Sequence, residues 1–183
     1  MHSAGVLLLV MIIPALLVDT SRLTDQLEEW QQNFDQQELV AMSVFGSSRY
    51  TVDKAGLDDW RRLLPSRGGH LVKFLDPESP PESNYTTFTV TMLHQLKCLE
   101  IYHREYVQET PSPPSPLVKH CLNYLRQQVL CRLNLKLESA RNDNAGSTRE
   151  YETVCRDWDL VYKAVEQNQR QWVKEVQENN LQG

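Results

Sequence analysis

At 183 residues, with 40% hydrophobic residues and a formal net charge of −5, the chain suits one mildly acidic globular domain with a proper core. No basic stripe runs along any segment, which argues against nucleic acid as a partner. A Gly-rich phosphate loop, zinc-ribbon spacing and a Gly-x-Ser-x-Gly elbow are all missing, so those three chemistries have no support.

The N-terminus carries the first strong signal. From Ala4 to Val18, fifteen residues pass without a charge. As a helix they would cover roughly 22 Å, less than the roughly 30 Å hydrocarbon core of a bilayer. An uncleaved signal-anchor and a cleaved signal peptide both fit, and the weak small-x-small site around Leu16–Asp19 puts anchoring ahead. Residues 1–20 are therefore expected to anchor the chain in a secretory-pathway membrane as a single pass, with secretion after cleavage as the alternative. The remainder would lie in the lumen. Asn84-Tyr85-Thr86 is a glycosylation sequon that agrees with that compartment.

Residues 21–41 read as a polar stalk helix, with Leu23, Leu27, Trp30 and Phe34 at three- and four-residue spacings. A domain over 42–176 and a tail over 177–183 follow. In the domain's first half, "SRYTVD" and "HLVKFLD" suggest short strands and "KAGLDDWRRLL" a short helix. "PSRGG" and "DPESPPESN" suggest turns, and the whole half suggests an irregular wrap. The second half is clearer. Thr89–Gln108 has helical spacing until "PSPPSP" ends it, and Leu117–Cys131 resumes it. "ESARNDNAGSTRE" is a polar loop, and the last helix runs from Asp157 to about Val176. Asp157 and Asp159 are placed to cap it. The expected fold is mainly α: a small helical lumenal domain with a few short strands after an N-terminal hydrophobic anchor helix.

Chemistry concentrates in two clusters, "HQLKCLEIYHREY" (94–106) and "LVKHCLNYLRQQVLC" (117–131). His94 and Cys98 stand one helical turn apart on one face. An antiparallel pair of helices would bring His94 to His120, giving two imidazoles for a metal. Glu100, Glu105 and Tyr124 are further candidates, whereas His103, nine residues from His94, is out of phase. Tyr124 with Tyr102, and Trp158 with Trp172, suit packing better than chemistry. Cys98, Cys121, Cys131 and Cys155 form an even set that an oxidising lumen would pair. Cys121 and Cys131 would be roughly 15 Å apart on one helix. Two pairings stay open: 98–121 with 131–155, or 98–131 with 121–155.

The ordered motifs His-Gln-Leu-x-Cys, His-Cys-Leu-x-Tyr-Leu-Arg-Gln, Leu-Cys and Cys-Arg-Asp-Trp resemble the UstYa-like family of filamentous fungi, over about residues 55–165. The resemblance implies a membrane-anchored lumenal oxidase of secondary-metabolite (mycotoxin or ribosomal cyclic peptide) biosynthesis. It would oxidatively cyclise or hydroxylate a peptide-derived substrate, or in some members halogenate one. It also implies a redox metal, copper being the best suited, held by His94 and His120, and a possible second family chain as partner. Lys97 and Lys119 would orient an acidic substrate group. Cys98 would pair with Cys121 across the two helices, and Cys131 with Cys155. The family's doubled His-x-x-His-Cys motif is incomplete in both copies here: Lys97 stands at the second histidine of the first and Leu117 at the first histidine of the second. The other class of function consistent with those losses is a binding or partner subunit.

Overall fold

The computed structural model describes residues 22–35, 38–79, 84–108, 112–132, 134, 135, 137 and 151–181. The expected anchor and the whole of the polar loop "ESARNDNAGSTRE" lie outside them. Among the described residues no helix is long and apolar enough to cross a membrane.

Helix α1 (22–35) is followed by strand β1 (Leu39–Val44). A short 3-10 turn then leads into α2 (Leu57–Arg61). Strands β2 (Leu71–Leu75) and β3 (Tyr85–Thr89) come next, followed by α3 (Thr91–Tyr106) and α4 (Pro116–Cys131). Strand β4 (Tyr151–Arg156) and the long α5 (Trp158–Leu181) close the chain. Helices dominate with a few short strands, as the periodicity predicts. The strands form two antiparallel ribbons, β2 with β3 and β1 with β4.

Three expectations are corrected. The stalk helix over 21–41 ends at residue 35, because Leu39–Val44 pairs with Tyr151–Arg156 as a strand. It is also no free stalk: Trp30 packs against Val72, Leu93 and Val165. "SRYTVD" is not a strand. Tyr50 sits at φ 59°, and the Asp53 carboxylate accepts from Thr51 Oγ1 and from the Ala55 and Gly56 amides, curling the segment into the 3-10 turn. The expected "HLVKFLD" strand, by contrast, is present as β2, paired with β3 and with Val72 in the core. The tail begins later than expected, since α5 continues to Leu181.

Two apolar clusters hold the fold. One joins α1, β2, β3, α3 and α5 around Val72, Leu93 and Val165. The other joins α3 to α4 through Cys98, Ile101, Val118 and Cys121. Their pairing order makes α3 and α4 antiparallel: His94 meets Tyr124, and Cys98 meets Cys121. Ser115, accepting from the Val118 amide, and Pro116 start α4 by the usual rules for a helix N-terminus. Asp157 caps α5 as expected, accepting from the Asp159 amide at 3.0 Å.

Helix α5 is fixed to the ribbon by two amide side chains. Asn168 accepts from the Lys73 amide (2.9 Å) and donates to the Lys73 carbonyl (2.7 Å), as a strand residue would. Gln169, buried, accepts from the Gly68 amide and donates to the Gly69 and Leu71 carbonyls.

Leu93, fully buried where these elements meet, is the sharpest test of the packing. Leu93→Ala should cost about 2–5 kcal/mol. Urea unfolding would read it as a fall in midpoint at unchanged slope.

Candidate functional site

The site is assembled from a turn and two helices. Gly69 adopts φ 59°, which suits glycine, and ends the turn that delivers His70 to the start of β2. His94 lies in the first turn of α3, held there by the Val90 carbonyl accepting from its amide at 2.9 Å. His120 and Tyr124 project one turn apart from α4. The rings form a stacked row. Ring centres are 5.6 Å apart for His70 and His94, 6.4 Å for His94 and His120, and 4.2 Å for His94 and Tyr124. The structure thus brings His94 to His120, as the sequence predicts, and adds two rings to them.

His70 was missed by the sequence reading, which had no helical spacing to place it. The signal available was the pair of glycines just before a histidine at a strand start. Tyr124 does pack beside the α3–α4 cluster, but its ring also covers His94. Tyr102 is exposed and stacks on Tyr106, and Trp158 is also exposed, so neither is core. Trp172 stacks instead beneath the Lys73 ammonium, 3.8 Å from its ring centre.

Burial holds His94 below the usual imidazole range, and His120 nearby adds to this. Burial likewise lowers His70, followed by the charges of His94 and Lys97. Both rings are therefore neutral at pH 7, the form that ligates metals and accepts protons. Among the described residues no three His, Cys, Asp or Glu side chains converge as they stand to hold a metal ion. The donor set of the expected pair, two imidazoles on facing helices, fits the chemistry of copper, zinc or iron in type. In number it leaves coordination to be completed.

Lys97 does not project freely. Its ammonium bonds the buried Glu100 carboxylate at 2.8 Å, and Arg104 takes the other oxygen at 3.0 Å. Glu100 is therefore spoken for as a ligand, and losing either cation would leave a buried charge less well compensated. Glu105 accepts from the Ser115 amide at 2.6 Å and ties the ends of α3 and α4 together. Lys119 is exposed beside His120. His103 is apart from the row, as its phase predicts: buried, it stacks on Trp60 and donates from Nε2 to the Thr51 carbonyl at 2.9 Å. Asn84 is exposed, at φ 48°, ahead of β3. Asp76 organises the expected "DPESPPESN" turn, accepting from Thr86, Ser79 and the Glu78 amide.

Beneath the histidines, Cys98 and Cys121 are buried against each other, and all four cysteines are free thiols in this structure. Burial, helped by the Cys121 contact, pushes the Cys98 thiol up to about 12. A raised acid pKa keeps the thiol protonated to higher pH, so Cys98 is unreactive near neutrality. In the reduced, folded protein, iodoacetamide at pH 8 should label exposed Cys131 well before Cys98 or Cys121, read by peptide mass mapping. Early labelling of Cys98 would contradict the buried pair.

A groove of about 860 Å³ opens elsewhere, between α1, β2 and α5, lined by Trp30, Phe34, Lys73, Trp172 and Glu175 among others. None of the row's histidines lines it. Its size suits a ligand, but the titratable chemistry sits with the histidines.

A family model described as "Mycotoxin biosynthesis protein UstYa" matches residues 70–175, from His70 into α5. The UstYa family oxidase phomYb of Diaporthe leptostromiformis is 30% identical over 120 residues, which cover 56% of this chain and 46% of that relative. The chain thus aligns with about half the length of the relative it matches. No solved structure matches. With more than half its residues under the family model, the chain belongs to the UstYa family of mycotoxin biosynthesis proteins.

Proposed function

We propose that this chain is an oxidase of mycotoxin biosynthesis that acts on a peptide-derived substrate, cyclising or hydroxylating it. The observation that carries the reading is the meeting of His94 and His120 across α3 and α4, 6.4 Å between ring centres. Family membership and a relative named as an oxidase support it. His94 and His120 are the residues that would hold a metal, with copper the best suited of the redox metals in a lumenal compartment. Bound there, copper would supply electron transfer and dioxygen chemistry. The chain's own contributions are distinct from that. Tyr124 shields one side of His94, and burial keeps His94 neutral. Lys119, next to His120 in the chain, would orient an acidic substrate group, while Lys97 serves the Glu100 ion pair first. A Cys98–Cys121 disulfide would lock the helix pair beneath the imidazoles, with Cys131–Cys155 as a second bond. The N-terminal segment would anchor the domain in a secretory membrane, and Asn84 would carry a glycan.

A second reading is favoured by one specific observation. Lys97 and Leu117 occupy two of the four histidine positions, and Lys97 is committed to a buried carboxylate. A member so altered would act as a binding subunit for a second family chain.

Metal content separates the two. The full chain, purified from a secretory host, should carry near-stoichiometric copper, and a His94→Ala/His120→Ala double variant should lose it while keeping its far-UV circular dichroism. Both side chains lie outside the buried core, so the fold should survive. Equal, trace metal in both proteins would favour the subunit reading.

A further inference from the structure

The groove between α1, β2 and α5 is ordered along its length. On α5 the residues that line it, from Leu160 to Glu175, cover roughly 22 Å. On α1 the lining from Arg22 to Phe34 covers roughly 18 Å. The two helices run in opposite directions along it. Gln26 bonds the Leu75 carbonyl, at the end of the ribbon where Tyr85 bonds Glu175 late in α5. At the other end the Phe34 carbonyl accepts from Arg156, just ahead of α5. A trough of this length fits about five to seven residues of extended chain, at roughly 3.3 Å each.

Its lining suits a peptide. Trp30 and Trp172 offer aromatic surfaces for side chains. Gln167 offers an exposed amide that has no hydrogen-bond partner among the described residues, able both to donate to and to accept from a peptide backbone. The edge of β2 is closed to a new strand, because Asn168 takes the Lys73 amide and carbonyl and Gln26 takes the Leu75 carbonyl. A ligand is therefore met by side chains, and charge selects its kind. The Lys73 ammonium is half-buried over Trp172, with no carboxylate paired to it among the described residues. Glu175 is taken by Tyr85 and Gln171, and Lys163 by Asp159. Arg22 and Glu29 are exposed and opposite in sign. The unanswered charge is the Lys73 cation, which calls for an acidic group on the ligand.

We propose that this groove binds an extended segment of a peptide substrate, with a carboxylate of that segment on Lys73. The proposal rests on the peptide-derived substrate of the reading above and not on its metal. Its place in the fold gives it a use. Lys73 follows His70 by three residues, roughly 10 Å along β2. Asn168 lines the groove, and its neighbour Gln169 holds the turn that carries His70. A peptide held in the groove keeps its next residues within reach of the histidine row, so recognition and chemistry fall on different parts of one chain.

The test pans phage-displayed random heptapeptides on the immobilised, metal-free full chain. Wild type should enrich sequences with one aspartate or glutamate at a fixed position beside apolar residues. A synthetic peptide of that consensus should bind in calorimetry and change the tryptophan fluorescence. Lys73→Glu should weaken it at least tenfold, and a peptide with lysine in place of the acidic residue should then bind the variant better than the wild type. Gln167→Trp, which crowds the groove from an exposed position, should also weaken binding at least tenfold, and it serves if the charge-reversed variant does not fold. The His94→Ala/His120→Ala variant should bind the peptide as the wild type does. Equal affinity for folded Lys73→Glu or Gln167→Trp would overturn the proposal, as would loss of binding in the double histidine variant. Phosphatidylglycerol vesicles that bind wild type but not Gln167→Trp, with no peptide enriched, would give the groove to lipid and overturn it too. Copper held by His94 and His120 with no peptide enriched would overturn this proposal alone, whereas peptide binding without copper would leave it standing and remove the metal.

Discussion

The structure depends on the way α5 finishes a sheet that has only two strands. One edge of β2 is satisfied by β3, and the other would present bare amides and carbonyls at the centre of the domain. Asn168 and Gln169 meet that edge with three hydrogen bonds, at Lys73 and Leu71, and Gln169 adds two to the preceding turn at Gly68 and Gly69. The same contact seats Val165, one turn earlier on α5, against Val72 and Leu93. Polar satisfaction and apolar burial are thus supplied by one helix face. Without that pairing the backbone at Lys73 and Leu71 would be desolvated without partners, at about 1–3 kcal/mol for each group. The turn that carries His70 hangs from Gln169, one of these two side chains, so the integrity of the core and the shape of the site are one problem.

A second polar arrangement fixes the other end of α3. The Thr51 carbonyl accepts from both Trp60 Nε1 and His103 Nε2, at 3.1 and 2.9 Å, and the two rings stack 5.3 Å apart. Gly56 is required beside it, because a Cβ there would lie 2.2 Å from the Thr51 oxygen. The segment before α2 is therefore knitted to α3 by a single carbonyl. His103 Nδ1 is left buried without a partner among the described residues. That ring is occupied in holding the fold together, which is why a histidine close in sequence to His94 contributes nothing to the row.

How much of this was legible in the sequence follows from the range of each interaction. The three long helices of the second half were readable because their apolar spacing, their proline break and the Asp157 cap are local. The approach of His94 to His120 was readable because a short proline-rich connection forces neighbouring helices together. Strands β1 and β4 were not readable. Each pairs with a segment more than a hundred residues away, and their faces alternate only between exposed and half-buried. The histidine row was half legible for the same reason. His70 and Gln169 come from a turn and from a helix face, and nothing local in either predicts that they meet. For Tyr124, a further ligand candidate by position, helical spacing favours packing, since aromatic residues at that spacing usually pack. It does pack, and the surface it covers includes a site residue.

The β1–β4 ribbon has a consequence for how the protein is made. Leu39 pairs with Arg156 and Val44 with Tyr151, and Arg156 also bonds the Phe34 carbonyl at the end of α1. A chain emerging from the ribosome in order exposes β1 long before its partner exists. Until then β1 is an unpaired edge, bordered by Leu39, Val44 and Phe45, which remain exposed even in the finished fold. The ribbon closes only when nearly the whole domain has been synthesised, the kind of non-local pairing that folds slowly. A nascent chain of this kind has reason to depend on chaperones until the ribbon closes, and a truncation that removes β4 would leave its earlier half with a sticky edge.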